Sequence, residues 1–391
     1  MSYLYTDITT ELNDQVHNKL GSISDVRALI NRAVRSVRSE IDLKAAKRTN
    51  TVPQGFFNSI EEIPAPSDLA ETAIIDLAKQ ISRSADENWV KTTPEEFNRR
   101  KGEEDYLFAV DLSNDMKKIK VNNQGSSVSK TINECDSLTG NGSWSVTGDA
   151  ENLIADSINY LTGVASLRFD TKTGATTANI LNSTMDAVDL SDEENNSTIF
   201  YSLYIPNATA AAALTSLTMK IGSDASNYFS KALTTAFSGS AFKAGWNLLA
   251  VDWATSTETG TVDTDNIVYA DLLITKSAAL AATKGWRLDK IACITGDPYN
   301  VSYYSDMLWQ SSAGTYIEKS TADTDFIEAD EDEKDLIIAK AGQYASQVLR
   351  EKLDLEFFSG VYSNAKKTYQ QRHKSERKPL INTNYEITGI N

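Results

Sequence analysis

Three tryptophans and a scatter of carboxylates are the residues from which this chain can most readily build chemistry. Trp246 and Trp286 each follow a glycine at the start of an apolar alternating stretch. An indole at such a place packs in a core or offers its flat face to a ligand. Trp253 lies seven residues beyond Trp246, so on one strand the two point to opposite faces, and the outward one is the first stacking candidate. The acidic run 323–335, with eight carboxylates in thirteen residues, offers the hard oxygen ligands a divalent cation prefers. It lacks the spaced ligands and mid-loop glycine of a calcium-binding loop, which favours a solvated or partner-facing helix cap. Composition leaves a glycosidase carboxylate pair open, but nothing marks two acids as special.

Other chemistries are poorly supplied. The two histidines, His17 and His373, lie near opposite ends, and the two cysteines, Cys135 and Cys293, stand far apart. That disfavours a Ser-His-Asp hydrolase, a Cys-rich zinc site and a disulfide scaffold. No glycine-rich phosphate loop, His-Glu-x-x-His or Gly-x-Ser-x-Gly occurs, so the expectation is a chain that is not an enzyme and needs no cofactor. Residues 1–15 have neither a basic nor an apolar segment, which predicts no secretory leader. No run of 18 apolar residues is present, which predicts no membrane partner.

The elements that must position these residues differ along the chain. Of 391 residues, 54 are acidic and 38 basic, a net charge of −16, which argues against a nucleic-acid coat. Residues 138–312 hold 9 basic and 18 acidic residues, while the other 216 residues hold 29 and 36. Helical surfaces favour long charged residues and β surfaces favour Thr, Ser and aromatics. The contrast predicts three segments: 1–137, an inserted 138–312, and 313–391.

The first flank predicts a helix from Asp25, capped by Ser24, with Leu29, Ile30, Ala33, Val34 and Val37 on one side. Arg27, Arg32, Arg35 and Arg38 fill the other, either solvated or facing an acidic partner. A second helix is predicted over about 67–82, then short strands at 105–111 and 116–121 with a turn at 113–115, and a linker at 122–130. The middle predicts seven or eight short alternating strands, a sandwich or jelly roll. The last flank predicts two helices, 334–353 and 355–378. Asp330, Glu331, Asp332 and Glu333 precede the first of these, favouring its positive dipole end. The basic stretch 366–378, with Lys366 and Lys367, sits on the second. Segregated charges of this kind suit head-to-tail packing of identical subunits in a ring, or neutralisation within the bundle.

Two resemblances follow. VRALINRAVRSVRSEIDLKAAKRT (26–49) and FIEADEDEKDLIIAKAGQYASQVLREKL (326–353) resemble the flanks of a tailed-phage head-to-tail connector. ASLRFD (165–170), LTMKIGSDASNYFS (217–230), GWNLLAVDWATSTETG (245–260) and WRLDKIA (286–292) resemble a jelly-roll module of the carbohydrate-binding type. The fold class these imply is α+β multidomain: a helical adaptor bundle with short strands, interrupted by an all-β jelly-roll insertion. They imply a virion neck protein in a dodecameric ring, with portal and tail proteins as partners, DNA passing through its channel, and host surface glycan as a ligand of the insert. They also imply a structural calcium site formed with Asp170, Asp289 and Asp306. The rival expectations are a glycan-binding decoration protein, a tail-fibre or tail-tube component, and an enzyme acting on polysaccharide.

Overall fold

The computed structural model describes residues 1–53, 56–57, 61–79, 89–100, 106–112, 116–122, 127–194, 197–277, 280–296 and 299–373. The expected turn at 113–115 and the end of the basic stretch beyond His373 lie outside them. The chain divides into two units, one of residues 1–50, 68–76 and 301–378, the other of residues 51–67, 77–300 and 379–391.

The first unit joins both chain ends. Its main helices are α1 (Tyr5–Gln15), α2 (Val26–Glu40), α3 (Glu331–Leu349) and α4 (Lys352–Arg372). Leu29, Ile30, Ala33, Val34 and Val37 of α2 are buried, the face that their spacing defines. The cap is Asp25, whose carboxylate accepts from the Ala28 N–H at 2.8 Å, and not Ser24. Asp330 and Glu333 form a reciprocal capping box at the start of α3, the arrangement that satisfies two otherwise orphaned N–H groups. Gly342 lets α4 approach closely: a Cβ there would fall 2.4 Å from the Phe358 ring.

The second unit carries a sandwich of two six-stranded antiparallel sheets. In chain order its strands are β1 (Ser127–Asn133), β2 (Trp144–Gly148), β3 (Ala150–Asp156), β4 (Ser166–Thr171), β5 (Thr177–Asn182), β6 (Thr198–Ile205), β7 (Leu214–Gly222), β8 (Tyr228–Leu233), β9 (Gly245–Asp252), β10 (Thr257–Thr259), β11 (Tyr269–Lys276) and β12 (Thr283–Gly296). One sheet runs β3-β4-β12-β6-β9, with β1 also pairing β12; the other runs β10-β8-β7-β11-β5-β2. Leu167, Phe169, Tyr201, Leu203, Leu249, Trp286 and Leu288 from the first meet Ile180, Leu217, Met219, Leu272 and Ile274 from the second. This is the alternation that puts every second residue inward. The same unit holds a four-stranded sheet ordered Glu62–Pro64, Lys118–Val121, Leu107–Asp111, Val90–Thr92.

The expected fold class is overturned. Strand outweighs helix by 40% to 26%, and the chain is a β-sandwich protein with several sheets, not a helical bundle interrupted by one. Two local errors show why. Leu69–Lys79 is a strand and not a helix; it buries Leu69, Ala73, Ile74, Ile75 and Leu77, and an apolar run buried on both faces has no period that separates strand from helix. Even the helical unit contains a four-stranded sheet whose members, such as Ser2–Leu4 and Phe326–Glu328, are two or three residues long, too short to show a period of two. The stretch expected as a linker ends in β1.

Substituting Gly342→Ala is expected to lower stability by about 1–3 kcal/mol through overpacking against Phe358. Denaturant unfolding of the variant checks it, and an unchanged midpoint contradicts the close contact.

Candidate functional site

The tryptophans are placed first. Trp286 is fully buried in the sandwich core, stacked on Phe169 at 6.4 Å. Trp253 packs inward against Phe229 at 5.0 Å. Trp246 is the outward one, but it joins an apolar cluster on the outer face of the first sheet with Phe56, Phe57, Met116, Phe200 and Leu248. Only about 50 Å³ is open beside it, space for a few waters rather than a ligand.

Away from this cluster the outer face carries polar side chains. Strand pairing sets Ile154 opposite Arg168, Arg168 opposite Arg287, Arg287 opposite Tyr204 and Tyr204 opposite Trp246. A single row therefore crosses five strands. The neighbours of Arg168 and Arg287 along their strands (Leu167, Phe169, Trp286 and Leu288) are core residues, so the arginines point outward. The Arg287 guanidinium lies 4.8 Å from the centre of the Tyr204 ring, and Tyr204 meets Trp246 edge to face at 5.4 Å. Each arginine has its own acid. Arg287 Nε donates to Asp156 at 2.9 Å, and Arg168 lies 3.9 Å from Asp170. The Asn152 amide also donates to Asp170.

The loop after β3 closes one border of this face, and carboxylates hold it. Asp156 accepts from the N–H groups of Ile158 and Asn159 and from the Asn159 amide. Burial acts to raise Asp156, but the bonds from Ile158, Arg287 and Asn159 outweigh it and lower its pKa. Asp289 accepts from Leu161 N at 2.5 Å and from the Thr162 hydroxyl at 2.9 Å. Burial pushes Asp289 up to about 7 against those bonds. Asp136 accepts from Val164 N and Ala165 N, both at 2.9 Å.

The other residues singled out by sequence are dispersed. Asp170 and Asp289 are held as above, and Asp306 belongs to the first unit, where it borders a cavity of about 190 Å³ with Arg35, Arg38 and Glu318. Among the described residues no cluster of three or more His, Cys, Asp or Glu is placed to hold a metal ion. Three of the four α2 arginines engage their own unit: Arg27 with Asp323 and Ser320, Arg35 with Glu318, and Arg32 over Tyr344 at 4.4 Å; the Arg38 Nε is buried without a hydrogen-bond partner among the described residues. Asp332 meets Arg372, Lys366 meets Glu40, Glu333 accepts from Tyr369, Glu331 lies 3.9 Å from Lys334 and Lys367 is exposed. Several of the opposite charges thus meet within this unit.

Sequence reading missed Arg168, Arg287, Tyr204 and Asp156. The signal was present as a charged residue between two core residues, in ASLRFD and in WRLD, but only strand pairing brings those segments side by side.

No family model matches this chain, and no curated protein does. Among solved structures, it is similar to a family 30 carbohydrate-binding module of a Clostridium thermocellum cellulosomal cellulase at 11% identity. That match covers 44% of this chain and 96% of that one, with a TM-score of 0.28. A second family 30 carbohydrate-binding module matches at 11% identity, over 50% of this chain and 92% of that one, TM-score 0.29. The enzymatically active domain of bacteriophage CBA120 tailspike protein 4 matches at 10% identity over 42% of this chain and 21% of that one, TM-score 0.26. With scores this low, the reading of the site rests on the chain's own residues. Nothing among these likenesses supports a head-to-tail connector.

Because Asp289 titrates higher in the folded chain than its ordinary 3.8, the folded state holds that proton more tightly. Its stabilising contribution is full below about pH 4 and is lost as pH rises toward about 7. The thermal midpoint of Asp289→Asn is expected to fall less between pH 5 and pH 8 than that of the wild type. Parallel profiles contradict this.

Proposed function

We propose that this chain binds a glycan along the outer face of the first sheet, on the row formed by Ile154, Arg168, Arg287 and Tyr204, in which Ile154 and Arg168 are more exposed than Arg287. The observation that carries the reading is the row itself: a tyrosine ring beneath a guanidinium, continued by a second arginine, with a carboxylate beside each. A sugar ring presents an apolar C–H face and a rim of hydroxyls. The first suits an aromatic ring and an aliphatic side chain, and the second suits fixed charged donors and acceptors, whose hydrogen bonds are the strong ones. Strands lie about 4.8 Å apart, so three spacings give a track of roughly 14 Å, long enough for more than one sugar residue.

The role we propose is binding and not cleavage. Asp156 is held ionised by Arg287 and backbone N–H groups, and Asp289 is sealed beneath Leu161 and Thr162, so neither is free to pass a proton to a substrate. A virion location and ring assembly gain no support from the first unit, where Arg27, Arg35, Asp332 and Lys366 are paired within the unit.

Affinity electrophoresis in gels containing hydroxyethylcellulose, xylan, agarose or alginate tests the proposal. Wild-type chain is expected to be retarded by at least one. Arg168→Ala and Tyr204→Ala are each expected to lose about tenfold in affinity, the equivalent of about 1.4 kcal/mol, with thermal midpoints within a few degrees of wild type. Retardation unaffected by either variant, or absent from all four gels, overturns the site.

A further inference from the structure

Several of the large apolar side chains exposed in the described chain sit close together in sequence: Ile154 on β3, then Ile158, Tyr160 and Val164 on the following loop, at 45%, 85%, 40% and 68% exposure. Exposed apolar groups on a loop are usually mobile, and ordering them on binding costs free energy. Here the backbone carrying them is fixed in advance. Eight residues, 157–164, are fastened at three places by Asp156, Asp289 and Asp136, and Ser166 Oγ donates to the Asn159 carbonyl at 2.7 Å. Gly163 makes the last fastening possible, since its φ of +66° is left-handed and a Cβ there would lie 2.3 Å from the Asp136 carboxylate. The loop is also continuous with the row: Asp156 binds both Arg287 and Asn159, the residue before Tyr160.

We infer that residues 158–164 form a preorganised apolar wall of the same site, with Tyr160 as a second sugar-stacking ring and Ile158 beside it, so that the ligand is gripped between the wall and the arginine row. This rests on the glycan-binding reading. It adds a contact that selects for sugars with a broad apolar face, because the wall's exposed surface is mostly apolar, with the Asn159 amide and the Thr162 hydroxyl engaged by Asp156 and Asp289. The fastening also predicts that loosening the loop harms binding without touching the ring.

The test uses the full chain and whichever of the four polysaccharides retards it. Tyr160→Ala is expected to weaken binding about tenfold at an unchanged thermal midpoint, since the ring is partly exposed. Gly163→Ala is expected to weaken it with Tyr160 intact. If Arg168→Ala abolishes retardation while Tyr160→Ala and Ile158→Ala leave it at the wild-type value, the wall is overturned and the row stands. If no polysaccharide retards the wild type, the row itself fails. If the loop variants convert a dimer to a monomer in sedimentation without changing retardation, the patch is a contact between copies and the inference is overturned.

Discussion

One extra residue in the longest strand sets the geometry on which everything else depends. On β12, Trp286 and Leu288 point into the sandwich, and so do Ile291 and Cys293, although the two pairs differ in parity. Lys290, at φ +41°, takes up the difference: Tyr201 pairs with Ile291 while Ser202 pairs with Asp289. A bulge of this kind shifts the alternation by one without sacrificing either half of a strand's buried face. Without it, either Trp286 or Ile291 would face outward, and Arg287 would not lie between Arg168 and Tyr204. A left-handed backbone at a non-glycine residue costs free energy, here offset by the burial of most of a 14-residue strand paired on both sides.

The same strand supplies the outer layer. Before the bulge it presents Arg287; after it, Ala292 and Ile294, which lie under Phe56, Phe57 and Met116. The outer face is thus divided into an apolar half covered by the chain's own segment and a polar half on which Arg168 is partly exposed and Arg287 largely covered. The net charge of −16 takes a local meaning there. Asp136, Asp156, Asp170 and Asp289 are employed in holding backbone N–H groups and arginines, not in repelling a ligand. Each of the two arginines is balanced locally, so the face offers directional hydrogen bonding rather than a field, which matters for recognising hydroxyls more than for attracting charge.

Much of the sandwich was legible because half-buried antiparallel strands write their alternation into the sequence: 165–170, 198–206, 217–221 and 245–253 all read as strands. The helical face of α2 was legible for the equivalent reason at a period of 3.6. What failed was whatever depended on partners distant in sequence. Leu69–Lys79 is buried on both sides and shows no period. Strands of two or three residues in the first unit have no pattern to show, so that unit reads as a bundle when it is not. The tryptophans drew attention by type, yet their burial depends on Phe169, Phe229 and the covering segment at 56–57. The α2 arginines read as a stripe either solvated or facing a partner because Glu318, Ser320 and Asp323 lie almost three hundred residues away. Arg168 and Arg287 stand opposite each other only after the register, bulge included, is known.

Hydrogen–deuterium exchange on the full chain, with and without the polysaccharide that retards it, tests the central claim most directly. The account predicts slowed exchange confined to β3, β4, β6, β12 and residues 157–164, with the helices α1 to α4 unchanged. Protection that falls instead on the opposite sheet or on the helices, or saturating polysaccharide that protects nothing, would contradict it.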